Sequence, residues 1–237
     1  MRHTRKLVAE ISAAALVISG AGIALGAATA GADPLSPNCV QTQHIDYNPG
    51  ISSFWITHTY DKSVEATTAA PGTLVTYKVV VGTTSIGNPY VNSITDYPPP
   101  GFGKPVKTKV TAYHFAQGQQ SEDVTPEPNN GGWSVNSTGW FVNSGNPVTA
   151  EFTYRVPDSI RDGQQVLSGG ISVGGTVGVG SGQPNMGVCF TGRGANPGEA
   201  LLGSLDDGGL GSSQNQLSST GSVTDIITDV IKRLMGS

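Results

Sequence analysis

Between residues 40 and 190 the chain alternates apolar and polar residues with a period of two, as in a β-strand whose two faces meet different surroundings. The clearest run, residues 73–81, reads TLVTYKVVV, and its odd-numbered residues from 75 onwards are all apolar or aromatic. Residues 152–156, FTYRV, repeat the pattern. Because no helical period of useful length interrupts this region, the pattern predicts strands throughout it.

Turn-forming residues separate these strands, notably Pro71-Gly72 and the runs at 98–101, 129–132 and 143–147. Further candidate strands cover residues 52–60, 90–97, 106–115, 132–142, 165–173 and 186–190. About seven to nine short strands with such punctuation predict an all-β sandwich with Greek-key connections. We assign this domain to residues 33–192.

The first 32 residues follow another pattern. Basic residues, among them Arg2, Arg5 and Lys6, precede an uncharged apolar stretch at 11–25, and the small residues Ala30-Gly31-Ala32 end it. This order is typical of a secretory signal peptide cleaved before Asp33. A retained membrane anchor is the alternative, but the stretch is only marginally long enough to span a bilayer. No second apolar stretch of spanning length follows, so we expect no transmembrane span in the mature chain.

The C-terminal part changes composition again. Residues 193–221 are rich in Gly and Ser, which is typical of a linker. Residues 222–235 then predict a short amphipathic helix, begun by the capping pair Ser222 and Asp225. Its apolar face consists of Val223, Ile226, Ile227, Val230, Ile231 and Leu234. Because so short a helix is unstable alone, we expect it to dock on the domain, self-associate, or contact a protein or envelope partner; a disordered tail is the alternative.

The chain has two cysteines, Cys39 and Cys189, near the two ends of the predicted domain. In an oxidising compartment they predict one disulfide bond. Two free thiols or a metal pair are the alternative, although no CxxC spacing supports a metal.

Composition narrows the possible partners. The net charge is −4, charged residues make up 13% of the chain, and part of the basic charge lies in the signal peptide. Because binding a phosphate backbone takes clustered Lys and Arg, this composition argues against nucleic acid.

No motif for catalysis or for a cofactor appears. The sequence contains no G-x-S-x-G or H-E-x-x-H and no catalytic cysteine context, so we expect no enzyme activity. His44, His58 and His114 lack ligand spacing, and we expect no metal site. A weak calcium site in an acidic loop holding Glu122, Asp123 and Glu127 is the alternative to a solvated loop. The Gly-rich run 174–182 predicts a flexible hairpin rather than a nucleotide loop.

Three aromatic residues, Trp133, Trp140 and Phe141, are the candidate contact residues for a ligand or partner. The two tryptophans are seven positions apart, so in one unbroken strand they would point to opposite sides. We expect at least one tryptophan to lie in the core of the sandwich, and the other is a candidate for an exposed carbohydrate-stacking or protein-contact platform.

Four stretches resemble the DUF11-type repeat domain, an immunoglobulin-like module of bacterial and archaeal surface proteins. Residues 70–81, APGTLVTYKVVV, are similar to that family's "PGDTVTYTVTV", and residues 90–102 are similar to its "NVTVTDTLPAGL". Residues 148–157 and 163–173 resemble its closing pair of strands. The resemblance covers about residues 55–173, with an insertion around 117–130, and implies an immunoglobulin-like sandwich.

Related surface folds sometimes carry a Lys–Asn isopeptide link, and Lys62 is a candidate for such chemistry, with Asp96 or Glu151 as the carboxylate that the reaction needs. An ordinary exposed lysine is the favoured interpretation. Together these features predict a secreted, non-catalytic module with a structural, adhesive or protein-interaction role at the bacterial cell envelope. A secreted carbohydrate- or small-ligand-binding module with an exposed Trp is the alternative.

Overall fold

The computed structural model describes residues 39–50, 56–84, 89–196 and 199. All of them belong to one unit, Pro34–Ser237. The predicted signal peptide, most of the linker and the C-terminal helix with its apolar face at 223–234 lie outside the described residues.

The described part of the chain is all-β. Its strands are β1 Thr42–Tyr47, β2 His58–Val64, β3 Thr68–Ala69, β4 Leu74–Thr83, β5 Tyr90–Asp96, β6 Lys107–His114, β7 Gly118–Asp123, β8 Glu127–Asn129, β9 Gly132–Phe141, β10 Val148–Arg155, β11 Gln165–Leu167, β12 Ile171–Gly175, β13 Ser181–Gln183 and β14 Cys189–Gly192.

Most strands join one antiparallel main sheet in the order β1-β2-β4-β10-β6-β9-β5-β12-β13, with β7 added to β6 and β8 added to β9. A smaller sheet has the order β11-β14-β3. Within the main sheet β6 and β9 share one bridging pair among the described residues, Tyr113 with Phe141. The sheet curls there, so that side chains of β2 and β10 on one half reach β5 on the other.

The core lies between these two halves. Tyr77 of β4 is paired with Phe152 of β10, and Val75 with Tyr154, and all four side chains are buried. Burial of each such side chain stabilises the fold by about 1.5–3 kcal/mol. The alternation predicted for residues 73–81 and 152–156 is thereby confirmed.

The disulfide predicted between Cys39 and Cys189 is present, with Cα atoms 5.1 Å apart. The main-chain N–H of Cys189 also donates to the carbonyl oxygen of Val40 at 2.8 Å. This bond joins the segment that leads into β1 to the first residue of β14, and so connects the main sheet to the smaller one.

Two regions differ from the sequence prediction. The expected insertion and acidic loop contain β7 and β8, and every residue of β7 after Gly118 is exposed. Strand β7 is held in the sheet by its main-chain pairing with β6. It therefore needs no apolar face, and the sequence pattern does not reveal it. Strand β1 was not predicted, and β2 begins near the end of the strand expected at 52–60. The hairpin expected at 174–182 connects β12 to β13.

Candidate functional site

Strand β2 points a row of polar side chains into the core, where they meet main-chain oxygens of the opposite half. Nε2 of His58 donates to the carbonyl oxygen of Val177 at 3.1 Å. The hydroxyl of Tyr60 donates to the carbonyl oxygen of Val179 at 2.7 Å. Lys62 follows two positions later, and all three side chains of β2 are 0% exposed. The alternation of β2 therefore places polar atoms where burial demands a partner for each.

Nζ of Lys62 lies among four oxygen atoms. It donates hydrogen bonds to the carbonyl oxygens of Gly169 at 2.8 Å and Gly170 at 3.1 Å, and a longer one to that of Tyr97 at 3.4 Å. Oδ1 of Asp96 is 2.7 Å away. This last contact is an ion pair, and Oδ1 has no hydrogen-bond partner among the described residues.

Two tyrosines complete this cluster, which we call the buried clasp: Lys62, Tyr77, Asp96 and Tyr154. Tyr154 donates its hydroxyl hydrogen to Oδ2 of Asp96 at 2.7 Å. Nζ of Lys62 lies 5.3 Å from the ring centroid of Tyr77, a cation–π distance. The Tyr77 hydroxyl finds no hydrogen-bond partner among the described residues. The clasp thus joins β2, β4 and β10 on one half of the sheet to β5 on the other.

Both clasp tyrosines remain protonated. Burial, and then the charge of Asp96, raise the pKa of Tyr77 and of Tyr154 above the ordinary value of 10.0. Since an uncharged phenol can only donate its hydrogen to the carboxylate, Tyr154 acts here as a hydrogen-bond donor.

The structure corrects the expectation for Lys62, which is fully buried and not an ordinary exposed lysine. Its neighbours on the same face, Tyr60 and Val64, are also buried, so the period of two was the signal that placed it inside. Of the two carboxylates considered for it, Asp96 is its partner. Glu151 instead pairs with Lys109 at 2.7 Å on the outer face.

The two tryptophans do not take opposite faces. Trp140 is buried in the core, and Trp133 is partly buried and packed against it. The reason is a bulge: Val91 pairs with Trp140 and Ser93 with Asn136, so β9 carries extra residues there. Since a bulge resets the alternation of a strand, an odd spacing no longer separates the faces. The Nε1–H of Trp140 donates to Glu122 at 3.3 Å.

Phe141 lies on the outer face, between two tyrosines. It pairs with Tyr113 of β6 and with Tyr90 of β5, at centroid distances of 5.6 Å and 6.0 Å. We call Tyr90, Tyr113 and Phe141 the aromatic row. Tyr90 is 46% exposed. It packs over Gly139, where a Cβ atom would lie 3.1 Å from the ring.

The remaining candidates do not converge. His44 is exposed on β1, and its hydrogen bond to Asp61 is the main cause of its raised pKa. His58 is buried on β2 and His114 partly buried on β6. Glu127 accepts a hydrogen bond from Asn136. Within the ranges that the structure describes, no group of three or more His, Cys, Asp or Glu side chains is placed to hold a metal ion.

The fold and this arrangement define a class: a disulfide-closed all-β protein with a charged pair sealed in its core and aromatic rings on an outer face. No helix in the described part of the chain is long and apolar enough to span a bilayer. No family model matches the chain, and no curated protein matches it.

Solved structures give distant likenesses. A chain of the RrgA Jo.In complex is 10% identical, with a TM-score of 0.34, over 63% of this chain and 90% of that one. AvmM, which catalyses macrocyclization in alchivemycin A biosynthesis, is 10% identical with a TM-score of 0.31, over 57% and 90%. Spo0M, a sporulation control protein from Bacillus subtilis, is 14% identical with a TM-score of 0.27, over 63% and 55%.

Proposed function

We propose that this chain is a secreted, non-catalytic immunoglobulin-like module with a structural and protein-interaction role at the bacterial cell envelope. The observation that carries this proposal is the aromatic row, which displays Tyr90, Tyr113 and Phe141 on the outside of a tightly closed domain. Tyrosine and phenylalanine are enriched at protein interfaces, because they supply a large contact area at a low cost in side-chain entropy.

The row is a rigid part of the fold. Its three residues sit on β5, β6 and β9 in direct register, at the bridging pair Tyr113–Phe141, where the curled sheet passes from one half to the other. Because strand pairing fixes their backbones and ring contacts fix their side chains, they lose little conformational entropy on binding.

The curl also supports the finer description of the fold. In the order of the sheet, β2, β4, β10 and β6 lie on one side of the core and β9, β5 and β12 lie on the other, as the two sheets of a sandwich do. On this basis we propose an immunoglobulin-like sandwich of the DUF11 type.

Export is supported by the disulfide, because such bonds persist in oxidising compartments. We therefore propose cleavage of residues 1–32 and maturation outside the cytoplasm. The apolar face predicted at 223–234 is a second contact element in this proposal, on sequence grounds.

The test is binding of the purified chain 33–237 to envelope fragments of the source organism, measured by co-sedimentation. Tyr90→Ser/Tyr113→Ser should weaken binding by more than tenfold, since truncating each contact aromatic costs about 1–2 kcal/mol. The matched control is Leu74→Ser/Val106→Ser, which removes two exposed apolar side chains at the first residue of β4 and next to the first residue of β6. Equal binding by both variants and the parent contradicts the proposal.

Carbohydrate binding is the second candidate, and the exposed ring of Tyr90 is the observation in its favour. Against it, the row is not flat: the interplanar angles are 68° for Tyr90–Phe141 and 46° for Tyr113–Phe141. Binding to wall glycan stripped of protein, lost in Tyr90→Ser, would favour this candidate over protein contact.

A further inference from the structure

The buried clasp contains an amine and a carboxyl group held in contact. Nζ of Lys62 lies 2.7 Å from Oδ1 of Asp96, and both side chains are 0% exposed. Oδ1 has no hydrogen-bond partner among the described residues, and its contact with Nζ is an ion pair. The nitrogen is therefore within proton-transfer distance of the carboxyl group.

The site is also closed to bulk solvent, since both side chains are 0% exposed. Tyr77 lies on one side of Nζ, and Tyr154 is bound to Oδ2. A buried ion pair carries a desolvation cost, and condensation to a neutral amide removes it. Exclusion of water also opposes hydrolysis, the reverse of a condensation between the two groups.

We propose that Lys62 and Asp96 condense to an intramolecular isopeptide bond. The ammonium first gives one proton to Oδ1, which leaves a neutral amine and a carboxylic acid. The nitrogen lone pair attacks Cγ, the Nζ–Cγ bond forms, and the carbonyl electron pair moves to Oδ2. A second proton passes from nitrogen to Oδ1, the Cγ–Oδ1 bond breaks, and one water molecule leaves. An ammonium and a carboxylate thus become one amide and one water, with no other reactant.

The neighbours of the pair have defined parts in this step. The neutral amine has two N–H groups, and the carbonyl oxygens of Gly169 and Gly170 are placed to accept both. Since the third proton has moved to Oδ1, the lone pair that attacks Cγ is the one that this proton leaves behind. Tyr154, bound to Oδ2, stabilises the negative charge that develops there during attack, as an oxyanion hole does. After reaction the same hydroxyl donates to the amide oxygen.

The bond would have a structural consequence. Lys62 is on β2 and Asp96 on β5, strands from the two facing halves of the main sheet that are not hydrogen-bonded to each other. Together with the Cys39–Cys189 disulfide, the amide would close the domain covalently at two places. A module that bears tension or resists proteolysis outside the cell gains from such closure.

The test is mass spectrometry of the mature protein after reduction and alkylation. The expected intact mass is one water molecule lower than the mass calculated for the mature chain with both cysteines alkylated. In a tryptic digest, cleavage after Lys62 should be missing, and the peptide 63–78 should be replaced by a branched product joined to the peptide 79–107, which contains Asp96. An unmodified mass together with a free 63–78 peptide overturns the proposal. Because the measurement is made on the parent protein, it does not depend on the folding of any variant.

Variants locate the reaction. Lys62→Met/Asp96→Leu removes both charges and should retain the full mass. Tyr154→Phe should slow condensation, so that freshly folded protein contains a mixture of both masses. Tyr77→Phe is its matched control, because the Tyr77 hydroxyl has no hydrogen-bond partner among the described residues. Loss of water that persists in the double variant would place the dehydration elsewhere and contradict the assignment.

Discussion

The Tyr154 hydroxyl, on β10, donates to Oδ2 of Asp96, on β5, at 2.7 Å, while the Tyr77 hydroxyl on neighbouring β4 finds no partner among the described residues. Both tyrosines are 0% exposed, and their rings meet edge to face with centroids 5.9 Å apart. Two chemically identical groups in one core therefore differ in whether burial is compensated by a hydrogen bond.

This difference predicts unequal effects of one substitution. Tyr154→Phe should lower the free energy of unfolding by about 1–3 kcal/mol, because it removes a buried hydrogen bond to an acidic group. Tyr77→Phe should leave stability unchanged or raise it slightly, since it removes a hydroxyl that is buried without compensation. Urea unfolding of both variants checks this, and equal losses would contradict the assigned hydrogen bond.

The disulfide should contribute measurably to stability. Cys39→Ser/Cys189→Ser opens a loop of 150 residues and should cost about 2–5 kcal/mol. Denaturant unfolding of the oxidised parent against the variant gives the value. Reductant should destabilise the parent and have no effect on the variant; a parent insensitive to reductant under unfolding conditions would speak against the bond.

The pKa values of His58 and His44 should be shifted in opposite directions from the ordinary value of 6.5. Burial lowers the pKa of His58, whereas the hydrogen bond to Asp61 raises that of His44. The unfolded chain binds a proton at residue 58 more readily than the folded chain does. The contribution of neutral His58 to the free energy of unfolding is therefore intact above pH 6.5 and is lost as pH falls towards the lowered pKa. For His44 the contribution of the protonated ring to the free energy of unfolding is intact below pH 6.5 and is lost as pH rises through the raised pKa.

NMR titration of the histidine ring protons measures both values. His58→Phe should remove the acid-side loss of stability, and His44→Gln should remove the contribution lost at higher pH. A pKa for His58 at or above that of His44 would contradict the burial of His58.

Gly170 should not accept a side chain. A Cβ atom there would overlap the carbonyl oxygen of Gln183, and Gly170 also supplies an acceptor for Lys62. Gly170→Ala should therefore cost about 1–3 kcal/mol or more through overpacking. Gly182→Ala, on β13, is the matched control, because nothing lies within 4 Å of its added methyl group. Similar melting temperatures for the two variants would contradict the packing described here.

The strand faces were readable from the sequence where strands are long and regular. In β4 and β10 strict alternation of apolar residues predicted the buried face, and every predicted inward residue of 73–81 is buried. The disulfide was predictable as well, because the chain has two cysteines and they lie near the ends of the predicted domain.

The buried clasp was not predictable as a unit, because its parts come from distant positions. Asp96 and the carbonyl oxygens of Gly169 and Gly170 reach Lys62 through the curl of the sheet, which no local pattern specifies. The faces of Trp133 and Trp140 were misread for a different reason, namely the bulge between Asn136 and Trp140. Strand β7 escaped prediction because all its side chains face solvent.

The central claim is that the chain matures outside the cytoplasm as an oxidised envelope module. The most direct measurement is fractionation of cells that produce the native protein into cytoplasm, membrane, wall and medium, with the N-terminus and thiol state determined in each. The account predicts a chain that begins at Asp33, carries no free thiol, remains with the envelope, and is released when it is shortened to end at Gly221. A chain that begins at Met1, with two free thiols in the cytoplasm, would contradict it.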